Sequence, residues 1–332
     1  VAGGVGQEYR AWASNQEGPM TPTAFSINPL TTYGSSNIDA VKVDNRIVFV
    51  DASEQRVREL SPNGEVTDLT LLNPELLSAG VVAMAVQRRP DTRIHCVLAD
   101  GTVAIFTTSK AEDVAAWFKL TPAASNTGTP DITGGLVVDV VVLPAAEEDA
   151  VYYLVQRVID GITEGGVERY YLEKFALASE CVGGTANKQL DSFVYYSGAA
   201  TATLTGLGHL INETVGCWAD GVDQGTFTVD ASGQITLPAA VSVAVTGKVY
   251  TANFESTKLA MNPQDLIRKK QVYALGLMLT NTHAEGLQYG PDENYLDYLP
   301  DLEAEATVDT NGIWSDYNYQ AVAFNGEYAV DS

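Results

Sequence analysis

The clearest alternation of apolar and polar positions lies between residues 81 and 121. It predicts four short strands, at 82–87, 94–98, 102–107 and 115–120. Asp100-Gly101 supplies a tight hairpin turn between the second and third strands, because glycine adopts positive φ at little cost. Four short strands that follow one another through tight turns form an antiparallel meander, as in a blade of a β-propeller.

Two further units repeat this pattern. The earlier unit has strands at 40–43, 46–50 and 56–60, with Asp44-Asn45 as a two-residue turn. The later unit has strands at 135–143, 150–159 and 168–175, and the first of these is predicted to be buried because it is apolar almost throughout. The first strands start near residues 40, 82 and 136, a recurrence typical of propeller blades. Between the first two units, Asn73 and Pro74 predict the cap and first turn of a short helix within 68–77.

The rest of the chain divides by composition. The predicted fold class is all-β, with a partial β-propeller of about three four-stranded blades, a small inserted β-sandwich or barrel, and a β-rich C-terminal segment that returns to the propeller. Six short strands are expected in the insert, and 265–280 is a long apolar strand or, as the alternative, a helix. The predicted divisions are a loop-rich segment at 1–36, propeller blades at 37–177, a linker at 178–190, the insert at 191–255 and the C-terminal segment at 256–332.

Composition narrows the class of function. The chain has 332 residues with 45% hydrophobic content, which is ordinary for a folded protein. It lacks a run of 18 apolar residues and a recognisable secretion leader, so membrane insertion is not expected. The chain opens directly on a structured pattern, so it is expected to be the later part of a longer protein. Its 42 acidic and 19 basic residues give a net charge of −23, which disfavours a grip on DNA or on anionic membranes and favours solubility.

Candidate chemical groups are few and scattered. Gly206-Leu207-Gly208 lacks the third glycine of a dinucleotide fingerprint and is interpreted as a turn, and Asn212 begins a glycosylation sequon of no consequence without a secretion signal. The three histidines, interpreted as structural or surface residues because none has a neighbour at zinc-ligand spacing, are His95, His209 and His283. The three cysteines, whose number and spacing predict neither a disulfide framework nor a metal site, are Cys96, Cys181 and Cys217. Cys96 lies in a strand pattern and is predicted to be a small buried apolar residue.

Carboxylates are dense between residues 292 and 309, where calcium is one possible ligand. They lack the regular spacing of a calcium loop, so a solvated acidic loop is the preferred interpretation. The carboxylates are Asp292, Glu293, Asp297, Asp301, Glu303, Glu305 and Asp309. The sequence therefore predicts no catalytic, cofactor-binding or metal-binding residue, and no enzyme activity.

Two alternatives stay open. A propeller glycosidase acting on host surface polysaccharide would require a pair of carboxylates in a concave pocket, and the letters single out no such pair. A receptor-binding adhesin would require an exposed aromatic platform. The aromatic residues that would supply one, for which a core position is the preferred interpretation, are Tyr195, Tyr196, Trp218, Tyr295 and Tyr298.

Several short segments, in one order along nearly the whole chain, resemble a tail protein of short-tailed bacteriophages, of the nozzle or tail tubular protein B type. The opening segments are TYGSS at 32–36, IVFV at 47–50, RVREL at 56–60 and DLTLL at 68–72. They are followed by CVLADG at 96–101, DVAAW at 113–117, 151–160 with ERY at 168–170, LTGLGHL at 204–210, ADG at 219–221 and GPDEN at 290–294.

This resemblance implies a virion structural protein with a propeller domain and without catalytic residues. It implies a homo-oligomeric ring, commonly a homohexamer, around the DNA exit channel, in contact with the head-to-tail adaptor and with other tail proteins or fibres. Such a protein is made in the bacterial cytoplasm and located in the phage tail. The acidic charge then predicts a lumen through which the genome passes during DNA ejection without adhering.

Overall fold

A computed structural model of the chain describes residues 2–14, 19–123, 135–159, 167–255, 270–283, 285–291, 293–299 and 313–328. In these ranges the protein is all-β and built from small antiparallel sheets, which confirms the predicted fold class at this level. The helical structure in the same ranges is one turn of 3-10 helix, Ala178–Glu180.

The N-terminal segment, which was predicted to be loop-rich, contains a three-stranded sheet. β1 (Ala2–Gly3), β2 (Glu8–Ala13) and β3 (Phe25–Thr31) pair in sequence order. The Glu8 carboxylate is buried at this sheet, where it accepts hydrogen bonds from the hydroxyls of Thr31 and Ser35. These bonds satisfy the buried carboxylate and hold the segment after β3 against β2.

Three meander sheets follow. The first sheet comprises β4 (Val41–Val43), β5 (Arg46–Val50), β6 (Val57–Leu60) and β7 (Val66–Asp68). The middle sheet comprises β8 (Val81–Gln87), β9 (Thr92–Leu98), β10 (Val103–Ser109) and β11 (Val114–Leu120). The third sheet comprises β12 (Leu136–Leu143), β13 (Ala150–Ile159) and β14 (Val167–Lys174), and so has three described strands where four were expected. The predicted turn at Asp100-Gly101 is confirmed, with Gly101 at φ 80°.

The middle sheet packs on a neighbouring sheet on each side, and side chains that alternate along its strands supply residues to both contacts. Its first face packs on the first sheet, and the residues that it contributes are Met84, Ile94, Cys96, Leu98, Ala104 and Phe106. Its second face packs on the third sheet, and the residues in that contact are Val97, Val103, Ile105, Val137, Val140, Val151, Tyr153 and Val155. The three sheets therefore form one stack, in which β12 contacts β8 and β9.

The outward face of the first sheet is covered by the segment that follows the N-terminal sheet. The Tyr33 ring lies 3.8 Å from the Arg58 guanidinium carbon, and Ser36 N–H donates a hydrogen bond to Val50 O at 3.0 Å. Phe49 and Leu60, which alternate with the residues of the first core, are buried. The third sheet differs, because β12 was predicted to be buried but exposes Val141 and Leu143 on its outward face.

The helix predicted within 68–77 does not form. β7 ends at Asp68, and the chain then runs through successive turns up to Gly80. Hydrogen bonds from Asn73 N–H to Thr70 O and from Gly80 N–H to Leu77 O span three residues each, so no α-helical ladder develops. The Leu77 side chain is fully buried in the first core, and Leu69 and Leu76 pack against the same core, so the loop is held in place without a helix.

The unit at 191–255 has four strands instead of the six that were predicted. β15 (Asp191–Leu204) and β18 (Ile235–Lys248) are long strands with register shifts, and each joins two of the predicted strands. With β16 (Thr214–Ala219) and β17 (Val222–Thr228) they form one sheet in the order β15-β18-β16-β17 around a separate core. A sheet, but not a closed barrel, is therefore established.

The C-terminal region is β-rich, as predicted. β19 (Lys270–His283) pairs antiparallel with β22 (Ile313–Tyr328), and β20 (Gln288–Tyr289) pairs with β21 (Asp297–Tyr298). The strand interpretation of 265–280 is thus confirmed from residue 270 onwards, and 265–269 lie outside the described residues. The predicted return of this segment to the propeller, and the boundaries between the predicted domains, stay predictions.

Candidate functional site

A cleft of about 850 Å³ lies between the third sheet and the start of the 191–255 unit. The middle and third sheets touch where β12 packs on β8 and β9, and the cleft opens farther out, between the ends of β11 and β14. Residues 188–193 and 250–253 close its other side. The cleft is therefore the wedge left by two sheets that diverge, with the next unit of the chain placed across it.

Arg157 organises the wall of this cleft. Its Nε lies 2.6 Å from Glu173 Oε1, and its Nη2 lies 2.8 Å from Glu173 Oε2 and 3.1 Å from Asp191 Oδ1. Asp191 Oδ2 accepts the Ala123 N–H at 2.6 Å, and Ser192 Oγ donates to Glu173 Oε1 at 3.2 Å. The network thus ties β13 and β14 to the first residues of β15 and to the chain that leaves β11.

In this network two carboxylates share the single guanidinium of Arg157. Burial lowers the pKa of Arg157, but the hydrogen bonds and charges of Glu173 and Asp191 outweigh it and raise the pKa above its ordinary value. All four carboxylate oxygens accept a hydrogen bond. A glycosidase requires one carboxyl group that gives a proton to the substrate, whereas both carboxylates here are fully engaged. The arrangement works as a joint between two units.

Aromatic groups line the cleft beside the joint. The rings of Tyr171 and His209 lie 5.8 Å apart, and His209 Nε2 is 2.9 Å from Ser192 O. Burial raises the pKa of Tyr250, and the charges of Cys181 and Asp191 raise it further. His209 is therefore held by the backbone of the 191–255 unit, which fits its structural interpretation.

A second polar group lies deep between the middle and third sheets. His95 is fully buried, with Nδ1 2.6 Å from the Tyr153 hydroxyl and Nε2 3.2 Å from Gln87 Oε1. Burial, aided by the charge of Arg93, lowers the pKa of His95 to about 4, so the ring is neutral at pH 7. Tyr153 then donates to Nδ1, and the Nε2–H donates to Gln87. The structural interpretation of His95 is confirmed.

The other candidates are dispersed. Cys96 is buried in the first core, as predicted, and burial raises the pKa of its thiol to about 12. All three cysteines are free, and His283 Nδ1 accepts a hydrogen bond from Glu285 N–H at 3.2 Å. Gly206 has φ 90° and Leu210 N–H donates to Leu207 O at 2.8 Å, which confirms a turn there. Asn212, the first residue of the sequon, also lies in a turn, with φ 63°.

Most of the acidic segment at 292–309 lies outside the described residues. Of its seven carboxylates, Glu293 and Asp297 are described, and Asn253 Nδ2 donates to Glu293 Oε1 at 3.3 Å. Among the residues that the structure describes, no three His, Cys, Asp or Glu side chains are grouped to hold a metal ion. In the same part of the chain no helix combines the length and apolar character of a membrane span.

The five aromatic residues considered for an adhesin platform fall into a packed group and an exposed group. Tyr196 packs against the core of the 191–255 unit, and Trp218 Nε1–H donates to Gly184 O at 2.7 Å. Tyr195, Tyr295 and Tyr298 are exposed, so the preferred core interpretation is wrong for these three. The Lys188 ammonium lies 4.9 Å from the centre of the Tyr195 ring.

Sequence reasoning did not identify Arg157, Glu173 or Asp191. A signal existed for Arg157, because it shares the alternation of Val151, Tyr153 and Val155 and therefore points between the sheets. An inward arginine requires a carboxylate partner, although alternation alone does not say which one. A comparison with protein-family models and with curated proteins found no match to this chain.

Proposed function

We propose that the chain is a structural subunit of a bacteriophage tail, of the nozzle or tail tubular protein B type, and not an enzyme. Copies form a ring, commonly sixfold, around the channel through which DNA leaves the virion. Its neighbours are the head-to-tail adaptor and other tail proteins or fibres. The ordered set of short segments that resembles this family supports the proposal, from TYGSS at 32–36 to GPDEN at 290–294.

The three stacked sheets are, in this proposal, consecutive blades of a β-propeller. Their first strands, β4, β8 and β12, follow one another along the stack, with β8 in contact with both β4 and β12. The cleft between β11 and β14 opens on the opposite side. The middle and third sheets touch at their first strands and spread at their last ones, which supports a radial arrangement like that of propeller blades.

The observation that carries the function is an apolar sheet face at the end of this stack, in a chain with a net charge of −23. The face favours assembly, and the charge disfavours retention of DNA. Six times −23 gives −138 for a hexamer, and carboxylates facing the lumen would repel DNA phosphates so that the genome slides through.

The test is the assembly state of the purified protein. Light scattering coupled to gel filtration, followed by negative-stain imaging, is expected to show rings with a central hole. Ring formation should increase with ionic strength, because salt screens the repulsion between acidic copies. Fluorescent double-stranded DNA should not be retained by the rings at physiological salt. Monomers at every protein and salt concentration, or rings that retain DNA, would reject the proposal.

A receptor-binding adhesin is the second candidate, favoured by the exposure of Tyr195, Tyr295 and Tyr298. It predicts saturable binding of host surface polysaccharide that is lost on replacing these tyrosines with alanine. The glycosidase alternative predicts release of reducing sugar ends from the same polysaccharide. It gains no support from Glu173 and Asp191, whose oxygens all accept hydrogen bonds within the protein.

A further inference from the structure

The outward face of the third sheet is apolar and exposed. The strand register places Val141 opposite Tyr152, and Leu154 opposite Leu172, on this face. The exposed fractions of Val141 and Leu172 are 47% and 68%. We call this surface the third-sheet face; its apolar residues are Val141, Leu143, Tyr152, Leu154, Tyr170 and Leu172. Between the Leu143–Ala150 pair and the Gln156–Tyr170 pair, its charged positions are Asp139 and Lys174, which have opposite signs.

The sequence of β12 is that of a strand covered on both sides. Seven of its eight residues, LVVDVVVL, are aliphatic. Strands buried on both faces have nearly continuous apolar runs, whereas strands with one wet face alternate. In the middle sheet β9 has apolar residues on both faces, and both faces are packed. β12 likewise has apolar residues on both faces, but only its inner face is packed among the described residues, which indicates that its second face also has a partner.

A second uncharged face exists at the N-terminal sheet. The register of β2 and β3 places Tyr9 opposite Pro29, Ala11 opposite Ile27, and Ala13 opposite Phe25, all on one side. Tyr9, Phe25, Ile27 and Pro29 are exposed. We call this surface the N-terminal face; its residues are Tyr9, Ala11, Ala13, Phe25, Ile27 and Pro29, none of which carries a charge.

We propose that these two faces bind each other between copies of the chain, with the third-sheet face of one copy packed on the N-terminal face of the next. Copies that each carry −23 repel one another, so close approach requires surfaces without net charge, and both faces meet that requirement. The inference rests on the proposed ring and names the contact that closes it. A contact between two different faces is heterologous and propagates from copy to copy until the ring closes.

The area of the contact also favours a ring over a dimer. Four of its six apolar residues are 47–68% exposed and two are partly buried, so the third-sheet face offers roughly 500 Å² of apolar surface, within the range of the largest patch on a typical monomer. A stable two-body interface buries about 800 Å² on each partner, so one such contact would be weak. In a closed ring every copy makes two of these contacts, and dissociation of one copy requires both to break.

Two charge substitutions test the pairing. Leu172→Lys alters the third-sheet face and Ile27→Lys alters the N-terminal face. Leu72→Lys is the matched control, because Leu72 is exposed in the turns between β7 and β8 and belongs to neither face. In sedimentation velocity, the two face variants are expected to lose the ring, whereas the control keeps it. Unchanged circular dichroism and melting curves verify that each variant folds, and Leu143→Lys replaces Leu172→Lys if that variant does not.

A mixture of the two face variants gives the decisive result. The N-terminal face of the Leu172→Lys chain and the third-sheet face of the Ile27→Lys chain are both intact, so a one-to-one complex should form at high protein concentration and stop there. Wild-type rings with unaffected face variants would overturn this contact and leave the proposed ring standing. Loss of rings without a mixed complex would also overturn it, since each face would then bind itself. A monomeric wild-type chain would overturn the contact together with the ring.

Discussion

The two faces of the third sheet have similar compositions but opposite environments. On the inner face, Val151 is 1% exposed against the middle sheet, whereas Val141 on the outer face is 47% exposed. Both positions are valines in adjacent strands of one antiparallel sheet. The difference shows that an apolar sequence allows a strand to be buried. Whether the strand is buried depends on whether another element packs against it.

The largest expected loss of stability comes from truncating a valine on the inner face, compared with the same truncation on the outer face. Val151→Ala removes two buried methyl groups and leaves a cavity, so the free energy of unfolding should fall by about 2 to 3 kcal/mol. Val141→Ala should change it by less than about 0.5 kcal/mol in the dissociated chain, as is usual for surface positions. Urea titrations at low salt measure both. Equal losses would show that the outer face is packed within a single copy.

The contact between the middle and third sheets, where His95 is buried, should also be sensitive to acid. The folded-state pKa of His95 is lowered to about 4 from 6.5, so the unfolded chain binds the proton more readily and stability decreases as the pH falls below about 6.5. Between pH 7 and pH 5 the loss should be on the order of 2 kcal/mol. His95→Gln should reduce the change in the free energy of unfolding between pH 7 and pH 5, an interval in which carboxylates still bear their charge. A wild-type curve with the slope of the variant would contradict the role assigned to His95.

A smaller loss of stability is expected from replacing Arg157, whose network lies where the middle and third sheets diverge. Arg157→Met leaves Glu173 and Asp191 without their shared cation and should destabilise the chain by about 1.5 kcal/mol, less than a deeply buried pair because both carboxylates are partly exposed. Hydrogen exchange at the amides of 191–196 should accelerate. Arg157→Lys, which keeps the charge, should restore part of the protection. Unchanged exchange in Arg157→Met would show that the 191–255 unit is held by other contacts.

Local pattern was sufficient for much of the fold. Alternation predicted the strands of the middle sheet, and Asp100-Gly101 predicted the turn between β9 and β10, because both signals are set by neighbouring residues. The prediction of a helix after β7 was wrong, because the burial of Leu77 in a core formed by distant strands outweighs the capping preference of Asn73. In the 191–255 unit, register shifts let one strand continue where turn-like residues predicted two.

The candidate site depended on contacts that sequence spacing does not encode. Arg157, Glu173 and Asp191 lie 16 and 18 residues apart and meet because β13, β14 and β15 converge at the cleft. Alternation indicated that Arg157 and His95 point inward but gave no information about their partners. Assembly is even harder to predict from the sequence, because an exposed apolar face can be recognised only once the packing of the single chain is known.

One irregularity in β12 affects solubility before assembly. The register shifts between Val137 and Asp139, so that Val137 and Val140 both face the core while Asp139 stays outside. Without this register shift, strict alternation from Val137 would direct the Asp139 carboxylate into the core. The bulge thus places an anion in the middle of an otherwise adhesive surface. A newly made chain would therefore carry a built-in deterrent to indiscriminate aggregation.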